Sequence, residues 1–125
     1  MPSILTSKAV EGSTYILSVA FTDENGDAVT PDSIVYTLTT ENGYIVNSLE
    51  DEPVTPDTSV DIVLSGDDLQ ILDGEKKTVI TIDGEKFNQV NRHCTIEWVY
   101  DSDAGQDLPG KDVAIFPLID LTAIT

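Results

Sequence analysis

The only histidine, His93, stands beside the only cysteine, Cys94, and a thiol next to an imidazole is the usual arrangement of an activated cysteine nucleophile. The surrounding segment His93-Cys94-Thr95-Ile96-Glu97-Trp98-Val99-Tyr100 alternates like a strand, and adjacent strand residues point to opposite faces, so the pair cannot form a dyad without a bulge. Cys94, Ile96, Trp98 and Tyr100 fall on one face, which makes Cys94 a small core hydrophobe and Trp98 a core plug rather than a ligand platform. His93 then joins Thr95 and Glu97 on the outer face. Two further stretches carry alternating oxygen ligands: Asp101, Asp103 and Asp107, and Asp23, Asn25 and Asp27. Calcium takes six to eight oxygens, and the Glu that closes a twelve-residue helix-loop-helix site is missing. Asp, Asn and Gly are also the strongest turn formers, so both stretches read as turns first. The many carboxylates contain the raw material of a glycosidase acid and base, but such a pair must flank a cleft, for which a small sandwich leaves little room. No Gly-rich phosphate loop, Cys and His metal spacing or nucleophile elbow occurs. The sequence assigns no catalytic, cofactor-binding or metal-ligating residue, and the expectation is a protein that is not an enzyme.

The elements that must position these residues are strands. Large apolar residues alternate with small polar ones at Tyr15, Leu17, Val19 and Phe21, and again at Ile34, Tyr36 and Leu38, the period of a strand buried on one face. Asn42-Gly43 tolerates the positive φ of a tight turn, which predicts reversal into a strand over Tyr44-Ile45-Val46-Asn47. Further strands are expected over 60–64, 77–82, 93–100 and about 112–119. Pro117 lacks a ladder donor, so the last should be an edge or be bulged there. Turn chemistry fills the gaps at 23–27, 53–57, Asp73-Gly74, Asp83-Gly84 and 101–110. Ser65-Gly66-Asp67-Asp68 fits a capping box ahead of a single helical turn. Asp73-Gly74-Glu75-Lys76 and Asp83-Gly84-Glu85-Lys86 repeat ten residues apart, but nothing around them repeats, and shared turn chemistry accounts for the match. No sustained 3.6 period exists, which excludes a helical bundle. The expectation is an all-β Greek-key sandwich of about seven strands, immunoglobulin-like or fibronectin-like, with a small barrel as the alternative.

A chain of 125 residues is the usual size of one domain, here 1–125. Its 23 Asp plus Glu against six Lys plus Arg give a formal charge of −17. That balance argues against nucleic acid and anionic membranes as partners, because both are bound through Lys and Arg. No apolar stretch approaches the roughly 20 residues of a membrane span, and Met1-Pro2-Ser3-Ile4-Leu5 lacks the features of a secretory leader, so synthesis in the cytoplasm is expected. One cysteine cannot form an internal disulfide. The apolar segment from Ile115 to Thr125 either completes the core or docks on a neighbour by strand addition.

The stretch Val10-Glu11-Gly12-Ser13-Thr14-Tyr15, followed by an alternating strand, and then Phe21-Thr22-Asp23-Glu24-Asn25-Gly26-Asp27-Ala28-Val29-Thr30-Pro31-Asp32-Ser33-Ile34-Val35-Tyr36-Thr37-Leu38, resembles small structural proteins of tailed bacteriophages. Their shared pattern is a strand, an Asp-rich Gly turn, a Pro and Ser step, and a strand carrying Tyr and Leu. The likeness continues more loosely through 74–82 and 95–100. It implies an immunoglobulin-like component of the virion: a capsid decoration (cement) protein on the assembled head, or an accessory protein of the neck or tail. The implied partners are phage structural proteins, with self-association a further option. A module recognising a host-surface glycan or receptor through the loops at 23–27 and 101–110 is another reading, and Tyr44 is the only aromatic near a predicted turn. An acidic mimic of DNA ranks last, because the acids lie in turns rather than in phosphate-like rows.

Overall fold

The computed structural model describes residues 3–4, 9–72 and 74–122. In chain order the strands are β1 (Ser3–Ile4), β2 (Ala9–Val10), β3 (Thr14–Ala20), β4 (Ser33–Thr40), β5 (Glu52–Val54), β6 (Ser59–Ser65), β7 (Thr78–Ile82), β8 (Glu85–Ser102) and β9 (Gly105–Asp120), with a 3-10 turn at Gly66–Leu69. They form two sheets. In the larger, β9 and β8 make a long antiparallel hairpin, with β1 and β2 running parallel to β9 on its other side. The free side of β8 takes β7 along its first residues and β4 farther on, and β5 closes that edge. In the smaller sheet β3 pairs antiparallel with β6, from Thr14↔Ser65 to Ala20↔Ser59. The protein is thus all-β, with two packed sheets.

Period two explains the packing. In β6, Val60, Ile62 and Leu64 are buried between exposed Ser59, Asp61, Val63 and Ser65. They meet Leu38, Cys94, Ile96, Phe116 and Leu118 of the large sheet in one core. Tyr15 stacks on Phe116 at 4.6 Å, and Phe21 meets the half-buried Trp98 edge to face at 5.2 Å. The capping box forms as expected, with the Ser65 N–H donating to Asp68 Oδ2 at 3.0 Å. Asp83-Gly84 makes the β7–β8 turn with φ of 51° and 83°, the primed geometry that matches strand twist. Asp73 of the neighbouring Asp-Gly turn lies outside the described residues.

Three expectations need correction. The chain does reverse at Asn42-Gly43, with the Gly43 N–H donating to Thr40 O at 3.0 Å, but residues 44–47 form no strand. Asn47 and Ser48 take φ of 51° and 58°, which ends the pairing after one bridge, Thr39↔Ile45. The short β5 flanks β4 instead. Next, the hairpin tip needs only Asp103-Ala104 for its turn, and residues 105–110 are strand rather than loop. Lastly, β9 is not an edge, and its pairing with β8 is bulged between Tyr100 and Ser102 rather than at Pro117. Pro117 pairs with Asn91, and on its other side it falls between the β1 partners, which end at Ile115, and the β2 partners, which begin at Leu118. Among the described residues no strand on that side pairs with it, so its missing donor is tolerated there.

The inner face of β8 carries one charge. Arg92 is fully buried, and its Nη1 and Nη2 both reach the Glu75 carboxylate, Nη2 at 2.7 Å from Oε2. Nη2 also donates to Gln70 O at 2.8 Å. Glu75 Oε2 accepts the Leu72 N–H at 2.7 Å, and Glu11 Oε2 accepts the Ile71 N–H at 2.8 Å. The connection from the 3-10 turn to β7 is therefore fastened at Gln70, Ile71, Leu72 and Glu75. The two Asp-Gly-Glu-Lys copies have different fates, since Glu75 holds a buried cation while Glu85 is exposed. Burial pushes the Glu75 carboxyl up, but hydrogen bonds from Arg92 and Leu72 and the charges of Arg92 and Lys77 outweigh it and hold it below the ordinary value. A carboxyl lowered in the folded state stabilises the fold above its unfolded pKa, and that stability is lost as pH falls through the folded pKa. Removing one partner strands the other charge, so Glu75→Ala should cost about 3–5 kcal/mol in urea unfolding at pH 7. The deficit should narrow below the unfolded carboxyl pKa; a loss under about 0.5 kcal/mol at neutral pH would contradict the assignment.

Candidate functional site

The residues singled out by type do not make a nucleophile. Cys94 is buried, and burial alone pushes its thiol up to about 12, so at neutral pH it is protonated. His93 lies on the other face of β8, as period two requires.

The two carboxylate-rich stretches, by contrast, come together. The tip of the β8–β9 hairpin extends past the last residue of β8 paired to β4, Val99, and leans on the β3–β4 connection. The Ser102 hydroxyl donates to Glu24 Oε1 at 2.8 Å, and the Asp32 N–H donates to Val99 O at 2.6 Å. Within the first stretch, Asp23 Oδ1 accepts the N–H groups of Asn25 and Asp27 at 2.9 and 3.0 Å, an Asx turn, so this carboxylate is spent on its own backbone. Asp101 Oδ1 likewise accepts the Asp107 N–H at 2.8 Å. The set that converges is Asp32, Asp101 and Asp107, with one carboxylate oxygen from each within 4.8 Å of the others. Asp103 is not part of it, and Asp32 carried no sequence signal beyond following Pro31. One oxygen from each of the three exposed groups makes three ligands, fewer than the six to eight calcium takes. Their charges repel one another: the Asp32 carboxyl is raised by the charge of Asp101, then by desolvation and the charge of Asp107. This end of the molecule holds Asp23, Glu24, Asp27, Asp32, Asp101, Asp103 and Asp107, and neither 21–33 nor 99–108 contains a Lys or Arg.

The opposite end of β4 borders a groove of about 560 Å³ between the turn at 40–44, the segment at 72–76 and Val90-Asn91 of β8. A third surface is the outer face of β3–β6. There Ile16 and Val63 are cross-strand partners, 56% and 54% exposed. Around them lie Thr14, Ser18, Ala20, Ser59 and Ser65, and one carboxylate, Asp61, which accepts the Ser18 hydroxyl at 2.7 Å. Among the described residues, neither β3 nor β6 has a second strand neighbour. Set beside models of protein families, curated proteins and solved structures, the chain matches none.

Because the Asp32 carboxyl is raised, the folded state takes up a proton there more readily than the unfolded chain, and the repulsion weakens the fold above the raised pKa. Asp32→Asn should therefore raise the melting temperature at pH 7 in low salt. The gain should shrink on lowering pH and in 1 M salt, where the screening length is about 3 Å; a variant that melts earlier than wild type at pH 7 would refute the repulsion.

Proposed function

We propose that this is a non-enzymatic structural protein of a tailed-phage virion, a capsid decoration protein that docks on the assembled head, with a neck or tail accessory role as the alternative. On this reading the sandwich is immunoglobulin-like. Supporting that is the strand order: β9, β8, β4 and β5 lie side by side as in the larger sheet of a variable-type domain, and β3 pairs with β6 across two intervening strands. Two hallmarks are lacking, since a single cysteine leaves no inter-sheet disulfide and the tryptophan sits on β8.

The observation that carries the functional reading is the outer face of β3–β6. A chain of −17 repels its own copies and every acidic surface, so a contact must form where charge is scarce. This face has one engaged carboxylate, a central Ile16–Val63 pair and, among the described residues, two strand edges with no paired neighbour, and open edges accept strands from a partner. The acidic end, which begins at Asp23 just past β3, keeps neighbouring copies apart.

Co-sedimentation with assembled capsids stripped of accessory proteins, with free capsid subunits as control, tests this directly. The wild type should bind shells saturably at a fixed ratio to lattice points and leave subunits alone. Ile16→Asp alone, at a position 56% exposed and so compatible with folding, should weaken shell binding at least about tenfold. Absence of shell binding, or equal binding to subunits, would refute decoration.

A further inference from the structure

We infer that the groove at the far end of β4 is a binding site for a neutral carbohydrate. Its surface is distinct from the outer face of β3–β6, so the inference stands or falls apart from the docking reading.

Its walls are fixed before any ligand arrives. On one side the turn is closed by Thr40 N–H to Tyr44 O at 2.8 Å and by Tyr44 N–H to Thr40 Oγ1 at 3.2 Å. On the other, Glu75 is held by the buried pair with Arg92 and accepts the Leu72 N–H at 2.7 Å. Prebuilt walls spare a ligand the cost of ordering them, and about 560 Å³ lies within the usual range of small-molecule sites.

The lining chemistry selects the ligand. Tyr44 stands at the rim 72% exposed, an aromatic face available to the flat C–H face of a sugar ring. Asn42 and Asn91 line the groove with side-chain amides that make no hydrogen bond among the described residues. Each amide both donates and accepts, as a row of hydroxyls does. Among the described lining residues the charges balance: Glu75 is spent on Arg92, and Glu41 and Lys76 have opposite signs. A lining with no excess of described positive charge, on a chain of −17, offers little to an anion, and it offers less to a cation than the acidic end does. An uncharged polyhydroxylated ligand matches the aromatic, the amides and the charge balance together.

The test is an NMR titration of the full chain with maltotriose, tri-N-acetylchitotriose and lactose, and with trigalacturonate as an anionic control. At least one neutral sugar should give saturable shifts centred on Asn42, Tyr44 and Asn91. Tyr44→Ala should weaken that binding about tenfold, while Asp103→Asn, at the other end, should leave it unchanged. Folding is not at stake in Tyr44→Ala, because the ring is largely in solvent. The inference is overturned if no neutral sugar shifts these residues up to about 20 mM, if Tyr44→Ala binds as wild type does, or if trigalacturonate binds best.

Discussion

The buried pair of Arg92 and Glu75 is the constraint on which much of the molecule's arrangement depends. It is made by a residue in the middle of the long hairpin and a residue in the connection that leaves the small sheet, so it fixes how one sheet hands the chain to the other. A guanidinium with no exposure must be satisfied, and here a carboxylate and a backbone carbonyl provide most of its partners, in the planar geometry that Arg supports and Lys does not. Among the described residues its Nε has no hydrogen-bond partner. Through the pair, Gln70 O, the Leu72 N–H and Glu75, on the connection that leads to β7, are tied to β8.

Charge is distributed as unevenly as it is abundant. Seven acids crowd the end formed by the hairpin tip and the β3–β4 connection, whereas Lys76, Lys77, Lys86 and Arg92, four of the six basic residues, cluster in sequence around the β7–β8 hairpin. The small sheet between them is almost free of charge. Three surfaces of different character thus sit on one small sandwich, and the strands that carry them are related by alternation alone: the same period that buries Ile62 and Leu64 exposes Val63.

Much of the fold was legible because alternation is a local property. Strands β3, β4 and β6, the later halves of β8 and β9, the capping box at Ser65 and the turn at Asp83-Gly84 follow from side chains a few residues apart. The remainder depended on distant partners. The first third of β9, with Pro109-Gly110, read as turn, and the first half of β8, with Asn88, Gln89 and Asn91, carried no strand signal; the former is strand because it pairs with the end of β8, the latter because it pairs with β7 and the end of β9. Strand β5 contains Pro53 between a charge and a valine, and only its position beside β4 makes it one. Residues 44–47 look like a strand by composition, but Asn47 and Ser48 leave the β region. Arg92 could have been found by following the inner row of Cys94, Ile96 and Trp98 back two positions; an arginine in that row is a signal that period two already contained. The acidic trio was half legible, since spacing pointed to Asp101 and Asp107, while Asp32 arrives from another loop.

The pairing of β1 and β2 with β9 has a further consequence for how the chain reaches this state. Ser3 finds its partner at Ala114 and Ala9 at Leu118, separations of more than 100 residues, and among the described residues neither short strand pairs with any strand but β9. Contacts this distant must wait for loop closure, and folding slows accordingly. On the ribosome the first two strands would remain undocked until almost all of the described chain had emerged, so the large sheet closes in one late event rather than growing strand by strand during synthesis.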